Sequence, residues 1–543
     1  MALDAAQNPR LIAPRLSPQA TADLVLLRTG KPADELRSYR YFQEVTAPSI
    51  AGAMNSEFWY TELPRVCEGD PALWHAVVSL GSAYETYLCN VNSELPGKPA
   101  NQRNAKTLTQ FNAAIRGLKK SLSSPGNLWK ALTASAVFIC VLILDGQVEE
   151  ARLHFRYACR LLNEIDSESS KESLGDPGEA AYGTRPRKPS SLPVSLESLR
   201  AILIGFEFVA TKLNPTTTAE APKLITSNYQ DYHSAWKVFT VPPIPTNLNA
   251  GYLNVSNLAK AARAAESLFM TLVVESLKNI HYFRSLYAEG GFALVQAAPK
   301  YKDSEICVRS FKTIQRALAL FRADLEGPRG KRIRPTELRE LRKAYLFLRI
   351  IQETNRSILQ EDPDEPDPHR RLKSLHGLCS TLIDLTEQVY ELSTSVGCHR
   401  EGGPVPTSTV MNPLVHVVRT GFHRASRERS IRLLSEPRLE GIWDSRMVAE
   451  MAKKFLNRET VATEEYRRMP ELDGITIDHP SARGWDGSLN EPGQEEQGEF
   501  IHSLARICMY SIEVSSAREV NVTLWTWKEW LERGPGETSY MTW

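Results

Sequence analysis

Cysteine is absent from the amino-terminal part of the chain. The first 66 residues contain none, and the eight cysteines of the 543-residue chain include no C-x-x-C pair. Such dispersed thiols are typical of reduced, packed side chains and not of a disulfide framework or a zinc site. The closest grouping with histidine, Cys398-His399 followed by His416 and His423, lacks ligand spacing. We therefore expect no bound metal ion.

Catalytic and phosphate-binding motifs are also missing. The sequence has no G-x-S-x-G, no G-x-G-x-x-G and no H-E-x-x-H. The stretch GPRGKR at 327–332 does not have the glycine spacing of a phosphate-binding loop. We expect no cofactor and no enzymatic activity. An enzyme that uses a cleft between helices is the remaining alternative on this point.

Long apolar runs and an excess of one charge are lacking as well. The longest apolar run, Ala131 to Leu144, is shorter than the roughly 20 residues that cross a bilayer, so it predicts a buried core helix. The amino terminus has no apolar run behind a basic start, so it does not look like a secretory signal. The 65 basic and 64 acidic side chains give no global attraction to nucleic acid or to an anionic membrane. We expect an intracellular protein without a membrane partner.

Helical periodicity is what the chain has in quantity. In FNAAIRGLKKSL the apolar residues from Phe111 to Leu118 follow the i, i+3, i+4, i+7 pattern of one buried helix face. The apolar run at 131–144 stops at Asp145-Gly146, and VEEARLHFRYACRLLNEI then resumes as an amphipathic helix, which makes a helical hairpin. No segment shows sustained period-2 alternation. The sequence predicts an all-α, multi-helix array of antiparallel helical hairpins with disordered loops.

Polar stretches divide this helical pattern. The residues from 166 to about 193 are rich in Ser, Gly, Pro and charge, and the tracts at 361–368 and 470–499 have a similar composition. We predict a disordered arm at 1–34, the first part of a helical domain at 35–165, a disordered insertion at 166–194, the second part of the same domain at 195–460, and a loop-rich extension with a terminal helix at 461–543.

The stretch EGIWDS at 440–445 looks like a reaction centre, because it combines two carboxylates, a serine and an indole. As N-cap of the following helix, Asp444 would accept from backbone amides of the first turn, with Ser445 as the alternative cap. Trp443 and Val448 would then form a hydrophobic staple. Glu440 and Asp444 could instead work as an acid and base pair, but no nucleophile or metal motif accompanies them. We interpret the stretch as structural.

Two histidines lie on or beside apolar helix faces. His75 stands in DPALWHAVVSLGSAYETY, and His154 stands in ARLHFRYACRLL. In such positions a hydrogen-bonded structural histidine is several times more common than a catalytic one. The sequence therefore assigns no catalytic, cofactor-binding or metal-binding residue.

Motifs at both ends of the helical region fit one known family. The opening motifs lie in LRSYRYFQEV, SEFWYTELP and PALWHAVVSL, and the closing motif lies in RSIRLLSEPRLEGIWDSRMVAEM. From about residue 35 to 460 the chain resembles the fungal-specific regulatory domain of binuclear, six-cysteine zinc-cluster transcription factors. The residues that carry the resemblance are Tyr41, Phe42, Phe58, Trp59, Pro71, His75, Gly146, His154, Arg427, Leu433, Leu434, Glu440, Gly441, Trp443 and Asp444.

The chain departs from that family pattern in two places. Gly421-Phe422 and Arg427-Glu428 stand where the family usually has Cys-Arg and Arg-Arg. The family's DNA-reading module holds two zinc ions with six cysteines, whereas residues 1–66 contain no cysteine. The resemblance thus implies the helical regulatory part of a transcription regulator, without the zinc-cluster reader.

The same resemblance implies a nuclear protein that acts in RNA polymerase II transcription through a protein partner or a small-molecule effector. Without a reader, the chain alone is expected to show no sequence-specific DNA binding. The basic stretches at 185–189 and 327–335 suit nuclear import or phosphate contact, although each is more often a plain solvated loop. The alternative is an intracellular all-α interaction scaffold that is not involved in transcription.

Overall fold

The computed structural model describes most of the helical regions of the chain. Residues 1–29 of the predicted arm at 1–34 and most of the predicted insertion at 166–194 lie outside the described residues. The described residues are 30–51, 57–92, 104–121, 127–173, 193–212, 304–328, 330–359, 368–394, 410–440, 443–472, 501–516 and 519–543.

The first helices pack around large aromatic side chains. Tyr39, Phe42, Trp59 and Trp74 are all essentially fully buried, and the Tyr39 and Trp74 ring centroids lie 4.7 Å apart. Burial of aromatic area on this scale is the main source of stability in such a core. The elements are α1 (Ala33–Tyr41), a π-helical turn (Phe42–Thr46), α2 (Ala47–Ala51), a second π-helical turn (Phe58–Glu62), α3 (Leu63–Gly69) and α4 (Pro71–Asn92).

The next helices pair as hairpins. Helix α4 packs against α5 (Asn104–Ser121), and α6 (Leu128–Leu144) packs against α7 (Val148–Ser173). The predicted core helix is confirmed, because residues 131–143 of α6 are all buried. Gly146, at φ +76°, ends α6. Gly146 N donates to the Ile143 carbonyl and Gln147 N to the Leu142 carbonyl, the two bonds of a Schellman motif.

Helix α7 corrects the start of the predicted disordered insertion. The sequence placed that start at residue 166, but α7 continues to Ser173. A helix that is already nucleated can be extended by polar residues, because each added residue gains one backbone hydrogen bond. The remainder of the predicted insertion, residues 174–192, lies outside the described part of the chain.

Four more helices continue the array. They confirm the all-α prediction for the body of the protein, with α9 packing on α10 and α10 packing on α11. Among the described helices, none contains an apolar stretch that could span a bilayer. These helices are α8 (Leu196–Lys212), α9 (Ser304–Glu326), α10 (Pro335–Leu359) and α11 (Pro368–Thr394).

The closing segment of the helical body contains three helices that contact one another. A two-residue strand pair, β1 and β2, joins the second of these helices to the third, with Glu440 opposite Trp443. The elements are α12 (Met411–Thr420), α13 (Arg424–Leu434), β1 (Leu439–Glu440), β2 (Trp443–Asp444) and α14 (Ser445–Tyr466).

Residues 507–542 form a three-stranded antiparallel sheet that the sequence did not predict. The strands β3 (Ile507–Ser516), β4 (Glu519–Thr526) and β5 (Glu537–Thr542) are hydrogen-bonded in the order β3-β4-β5. The only α-helix among the described residues beyond α14 is the short α15 (Trp527–Leu531), which lies between β4 and β5, so the described chain ends in a strand and not in the expected terminal helix.

The prediction that no segment alternates with period 2 is wrong for β4. Val520, Val522 and Leu524 are buried there, and the residues between them are half-exposed. The second face carries Glu519, Asn521 and Thr523, so polar and apolar residues alternate from Glu519 to Leu524. Only Trp525 interrupts the polar side, and the period-2 pattern was therefore present in the sequence.

The sheet is anchored to α14 by polar contacts as well as by apolar packing. Arg458 of α14 pairs with Glu529 of α15 at 2.5 Å and with Glu537 of β5 at 3.1 Å. Tyr466 Oη lies 2.9 Å from Thr526 Oγ1 at the end of β4. The sheet is therefore part of the same packed body as the last helices.

Candidate functional site

The EGIWDS stretch has the predicted N-cap. Asp444 precedes α14, and its Oδ1 accepts a hydrogen bond from Arg446 N at 2.8 Å. Trp443 and Val448 are both buried, which fits the staple positions predicted for them. The carboxylate of Asp444 is thus held at the positive end of a helix. Gly441 lies outside the described residues.

Glu440 caps a different helix, α12, from thirty residues further along the chain. Its buried carboxylate accepts from Val410 N and Met411 N, each at 3.1 Å, and from Arg438 Nε at 2.7 Å. A carboxylate among free backbone amides offsets the dipole of α12. Both carboxylates of EGIWDS are therefore bonded to helix ends, which supports the structural interpretation over the acid–base alternative.

Ser445 completes the connection around the short strand pair. Its Oγ donates to the Glu436 carbonyl at 2.7 Å and accepts from Arg438 N at 2.8 Å. Ser445 N also donates to the Arg438 carbonyl. EGIWDS thus joins the end of α13, the start of α12 and the start of α14, and its polar groups are used for that joint.

The aromatic residues of the opening motifs are core residues. Phe42, Phe58 and Trp59 are buried, whereas Tyr41 is only half-buried. The Phe58 and Trp59 rings meet edge to face, with centroids 4.8 Å apart, a preferred aromatic geometry. These residues support the fold and do not line a site.

Pro71 and His75 both belong to the first turns of α4. Pro71 is the first residue of that helix, where its missing N–H costs nothing. Asp70 Oδ1 accepts from Ala72 N and Leu73 N at 2.9 and 3.2 Å, so Asp70 caps the helix. The motif P-A-L-W-H therefore begins α4 and places His75 one turn inside it.

His75 is the last member of a series of hydrogen-bonded side chains in the interior. Its Nδ1 lies 2.6 Å from Gln110 Oε1. Gln110 Nε2 donates to Glu35 Oε1 at 3.0 Å, and Trp74 Nε1 donates to Glu35 Oε2 at 2.7 Å. This series links α1, α4 and α5, so His75 has the hydrogen-bonded structural place that the sequence suggested.

His154 is packed among rings. Its imidazole centroid lies 5.4 Å from that of Phe138 and 6.5 Å from that of Phe111, both nearly edge to face. Burial lowers the pKa of His154, because its surroundings disfavour the imidazolium form. Gly146 ends α6, and the ring contact between His154 and Phe138 holds α7 against α6.

Arg427 has an interior role that the family pattern did not specify. Its side chain is 4% exposed, its Nε donates to the Val418 carbonyl at 2.7 Å, and one Nη donates to Glu459 Oε2 at 2.6 Å. Leu434 is buried nearby on α13, and the Leu433 carbonyl accepts from Tyr390 Oη at 3.1 Å. Arg427 therefore ties α12, α13 and α14 together.

A second buried guanidinium shares the same carboxylate. Arg506 lies just before β3, is completely buried, and donates to Glu459 Oε2 at 3.3 Å and to the Gly421 carbonyl at 3.2 Å. Glu459 Oε1 accepts from Ile507 N at 2.9 Å. Burial lowers the pKa of Arg506 to about 10, and the nearby positive charges of Arg427 and Arg419 act in the same direction. Arg427, Glu459 and Arg506 are hereafter called the buried charge cluster.

A small cleft opens beside the buried charge cluster, between α13 and α14. Its volume is about 90 Å³, well below the roughly 300 Å³ of a usual drug-sized ligand pocket. The cleft mixes charged, hydroxyl and apolar groups and is the candidate binding site of the described structure. Its lining residues are Phe422, Arg424, Arg427, Leu456, Glu459, Thr460, Thr463, Glu464, Arg467 and Ile501.

The cysteines have the environment of packed thiols. Cys67, Cys140, Cys379 and Cys508 are buried and unbridged. Burial raises the pKa of Cys67 to about 12 and that of Cys379 to about 11, so both remain protonated at neutral pH. Among the described residues no three His, Cys, Asp or Glu side chains are grouped to hold a metal ion. The absence of metal remains a prediction.

Comparison with protein families gives one match. Residues 37–235 match the family model of the fungal specific transcription factor domain. The match includes the opening motifs, Gly146 and His154, so it confirms the predicted resemblance over that range. The resemblance at 410–460 lies beyond it and stays a prediction. No curated protein and no solved structure matches the chain significantly.

The residues that the sequence did not single out are Glu459 and Arg506. Their partners lie 32 and 47 residues away along the chain, so no local motif marks them. A buried position for Glu459 could have been suspected from its place on the apolar side of α14, one helical turn after Phe455. No feature of the sequence around Arg506 indicated that this residue is buried.

Proposed function

We propose that this chain is a transcription-regulator-like protein that acts in the nucleus, in RNA polymerase II transcription, by binding a protein partner. The observation that carries the proposal is the match of residues 37–235 to the fungal specific transcription factor domain. The helical body supports it, because packed helical hairpins present extended surfaces to partners without any reactive group.

In this proposal the sequence-specific DNA contact comes from another module or another chain. A specific reader needs an element that enters a groove and a surface that neutralises phosphates. The exposed Lys331 and Arg332 in the turn at Gly330–Arg332 offer only a small basic patch. Such a patch supports at most weak, strongly salt-dependent contact with phosphates.

The proposal also assigns no catalysis to the chain. Glu440 and Asp444, the two carboxylates that looked most like an acid and base pair, are bonded to the ends of α12 and α14. A general base must instead reach a substrate proton. Their geometry supports a role in holding helices together.

The test is a reporter assay with the full chain fused to a foreign DNA-binding domain. We expect the fusion to change reporter output, whereas the unfused chain leaves it unchanged. The matched control is the same fusion carrying Trp74→Ala, which removes a fully buried indole and should abolish the response by unfolding the regulatory part. A tagged full chain should accumulate in the nucleus.

Two results would contradict this function. Nanomolar, sequence-selective binding of the unfused chain to genomic duplexes at about 150 mM salt would show a reader within the chain. A silent fusion that is folded, together with a cytosolic location, would favour the interaction scaffold instead. Proteins that co-purify with the tagged chain would then identify what the scaffold holds.

A further inference from the structure

The cleft beside the buried charge cluster has the composition of an anion site. Two of its rim arginines are paired with neighbouring carboxylates, Arg424 with Glu428 at 2.8 Å and Arg467 with Glu464 at 3.6 Å. Both pairs are largely exposed, so each is close to neutral and well solvated. Any net charge at the cleft must therefore come from its inner wall.

Among the described residues, the inner wall carries more positive than negative charge. Arg427 and Arg506 are two buried guanidinium groups, and the carboxylate of Glu459 is the partner of both. Arg419 adds a further positive charge nearby, with its guanidinium 5.6 Å from the Tyr510 ring. An excess charge in a region of low dielectric is costly unless it is paired. A single negative charge in the cleft would reduce that cost.

Arg427 is part of the wall of the cleft, although its side chain is 96% buried. Its Nε and one Nη are fixed by the Val418 carbonyl and by Glu459. A guanidinium held in this way keeps N–H groups in a fixed orientation, which favours a planar carboxylate.

The remaining walls limit what can bind. Phe422, Leu456 and Ile501 give the cleft an apolar side, suited to a short hydrocarbon part. A phosphate ion would place some of its oxygens against this apolar side, where they have no hydrogen-bond partner, so the cleft favours a carboxylate that carries a hydrocarbon part. With a volume of about 90 Å³, the cleft has room for one small group only.

We infer that this cleft binds the carboxylate of a small organic monoanion, with Arg427 as the direct donor and Phe422, Leu456 and Ile501 around the hydrocarbon part. The inference concerns binding and does not depend on the proposed function. Because the cleft lies on α13 and α14, next to the carboxylate that holds Arg506, a bound acid stabilises the contact between these helices and the sheet.

The test uses the full chain and propionate, with thermal unfolding and titration calorimetry at constant ionic strength. Propionate should raise the unfolding midpoint in a saturable way, because a ligand that binds only the folded state stabilises it. Propionamide, which has the same size without the charge, should have no effect. Inorganic phosphate should bind more weakly than propionate.

Two neighbouring residues of α14 supply the matched variants. Thr460 lines the cleft on its exposed side, so Thr460→Trp fills the cleft without disturbing the buried charge cluster. Val461 is 44% exposed and does not line the cleft, so Val461→Trp is the control. We expect propionate affinity to fall at least about tenfold in Thr460→Trp and to stay unchanged in Val461→Trp. Equal affinities in the two variants, equal effects of propionate and propionamide, tighter binding of phosphate, or no binding at all would overturn the inference.

Discussion

The first helices and the last helices of this protein are held together by different means. Around α1 to α4 the interior is filled by rings such as those of Tyr39, Trp59 and Trp74. Around α12 to α14 the interior contains charges, with Arg427, Arg506 and Glu459 all nearly inaccessible to water. The first region gains stability mainly from apolar area, whereas the second also depends on correct pairing of desolvated charges.

This difference indicates which substitutions should destabilise each region. An apolar core loses stability roughly in proportion to the volume that is removed. A buried ion cluster adds little net stability compared with an apolar replacement, but the loss of one partner leaves the others charged and desolvated. The last helices and the sheet should therefore respond sharply to the removal of a single charge, and the first helices to the removal of a ring.

The largest loss of stability is expected from Glu459→Gln. The variant keeps the shape of the side chain but leaves two buried guanidinium groups without a counter-charge, so the free energy of unfolding should fall by about 3–5 kcal/mol. Urea unfolding followed by far-UV circular dichroism measures it. The control is Glu464→Gln on the same helix, whose pair with Arg467 is exposed, with an expected change within about 0.5 kcal/mol. Equal, small changes in both would show that the cluster does not hold the region together.

The contribution of a buried ring to stability can be tested in the same region at Trp443. This indole is 4% exposed, and Trp443→Ala should lower the free energy of unfolding by about 3–5 kcal/mol. Its Nε1 has no hydrogen-bond partner among the described residues, so Trp443→Phe, which keeps a ring, should cost much less. Thermal denaturation of the two variants measures the difference. If Trp443→Ala keeps wild-type stability but loses its biological output, EGIWDS must be reconsidered as a site.

The same contrast explains how much of the fold could be predicted from the sequence. Helices such as α6 and α7 follow from apolar periodicity and from Asp145-Gly146, because these signals lie within a few residues. The sheet was not predicted, although polar and apolar residues alternate along β4 from Glu519 to Leu524, because the alternation is short and ends at Trp525. One local sign was present there, because Thr526 and Glu529 form a capping box at the start of α15.

The candidate site was less predictable than the fold. The N-cap at Asp444 could be inferred because its partner lies two residues away. Glu440 was recognised as unusual, but its partners at Val410 and Met411 lie 30 and 29 residues away. Long-range partners of this kind depend on tertiary packing, and no spacing rule connects them.

A smaller effect is expected at the cap of α14. Asp444→Ala removes the acceptor for Arg446 N and should lower the free energy of unfolding by about 0.5–2 kcal/mol. Asp444→Asn, which keeps a capping oxygen, should recover most of that loss. The measurement is urea unfolding under the conditions used for Glu459→Gln. A loss in Asp444→Ala as large as that in Glu459→Gln would mean that the carboxylate does more than cap the helix.

The smallest expected effect is a pH dependence at His154 of α7, which is packed among rings like those of the first region. Burial among Phe111 and Phe138 lowers its pKa in the folded state below the ordinary value of 6.5. As pH falls through that ordinary value, the unfolded chain takes up a proton that the folded protein does not, so stability is lost. The loss stops once the pH is below the pKa of the folded state. Above about pH 7.5 the folded state keeps its full stability with respect to this group.

The variant His154→Phe isolates this contribution, because it keeps a ring in the same aromatic cluster and cannot titrate. Free energies of unfolding of both proteins are compared between about pH 5.5 and pH 7.5. The wild-type value should decrease more steeply toward acid than that of the variant. All other titrating groups contribute equally to both proteins and cancel in the difference. Identical slopes would show that His154 can be protonated in place, and the packed rings of Phe111 and Phe138 would then tolerate a charge that burial is expected to disfavour.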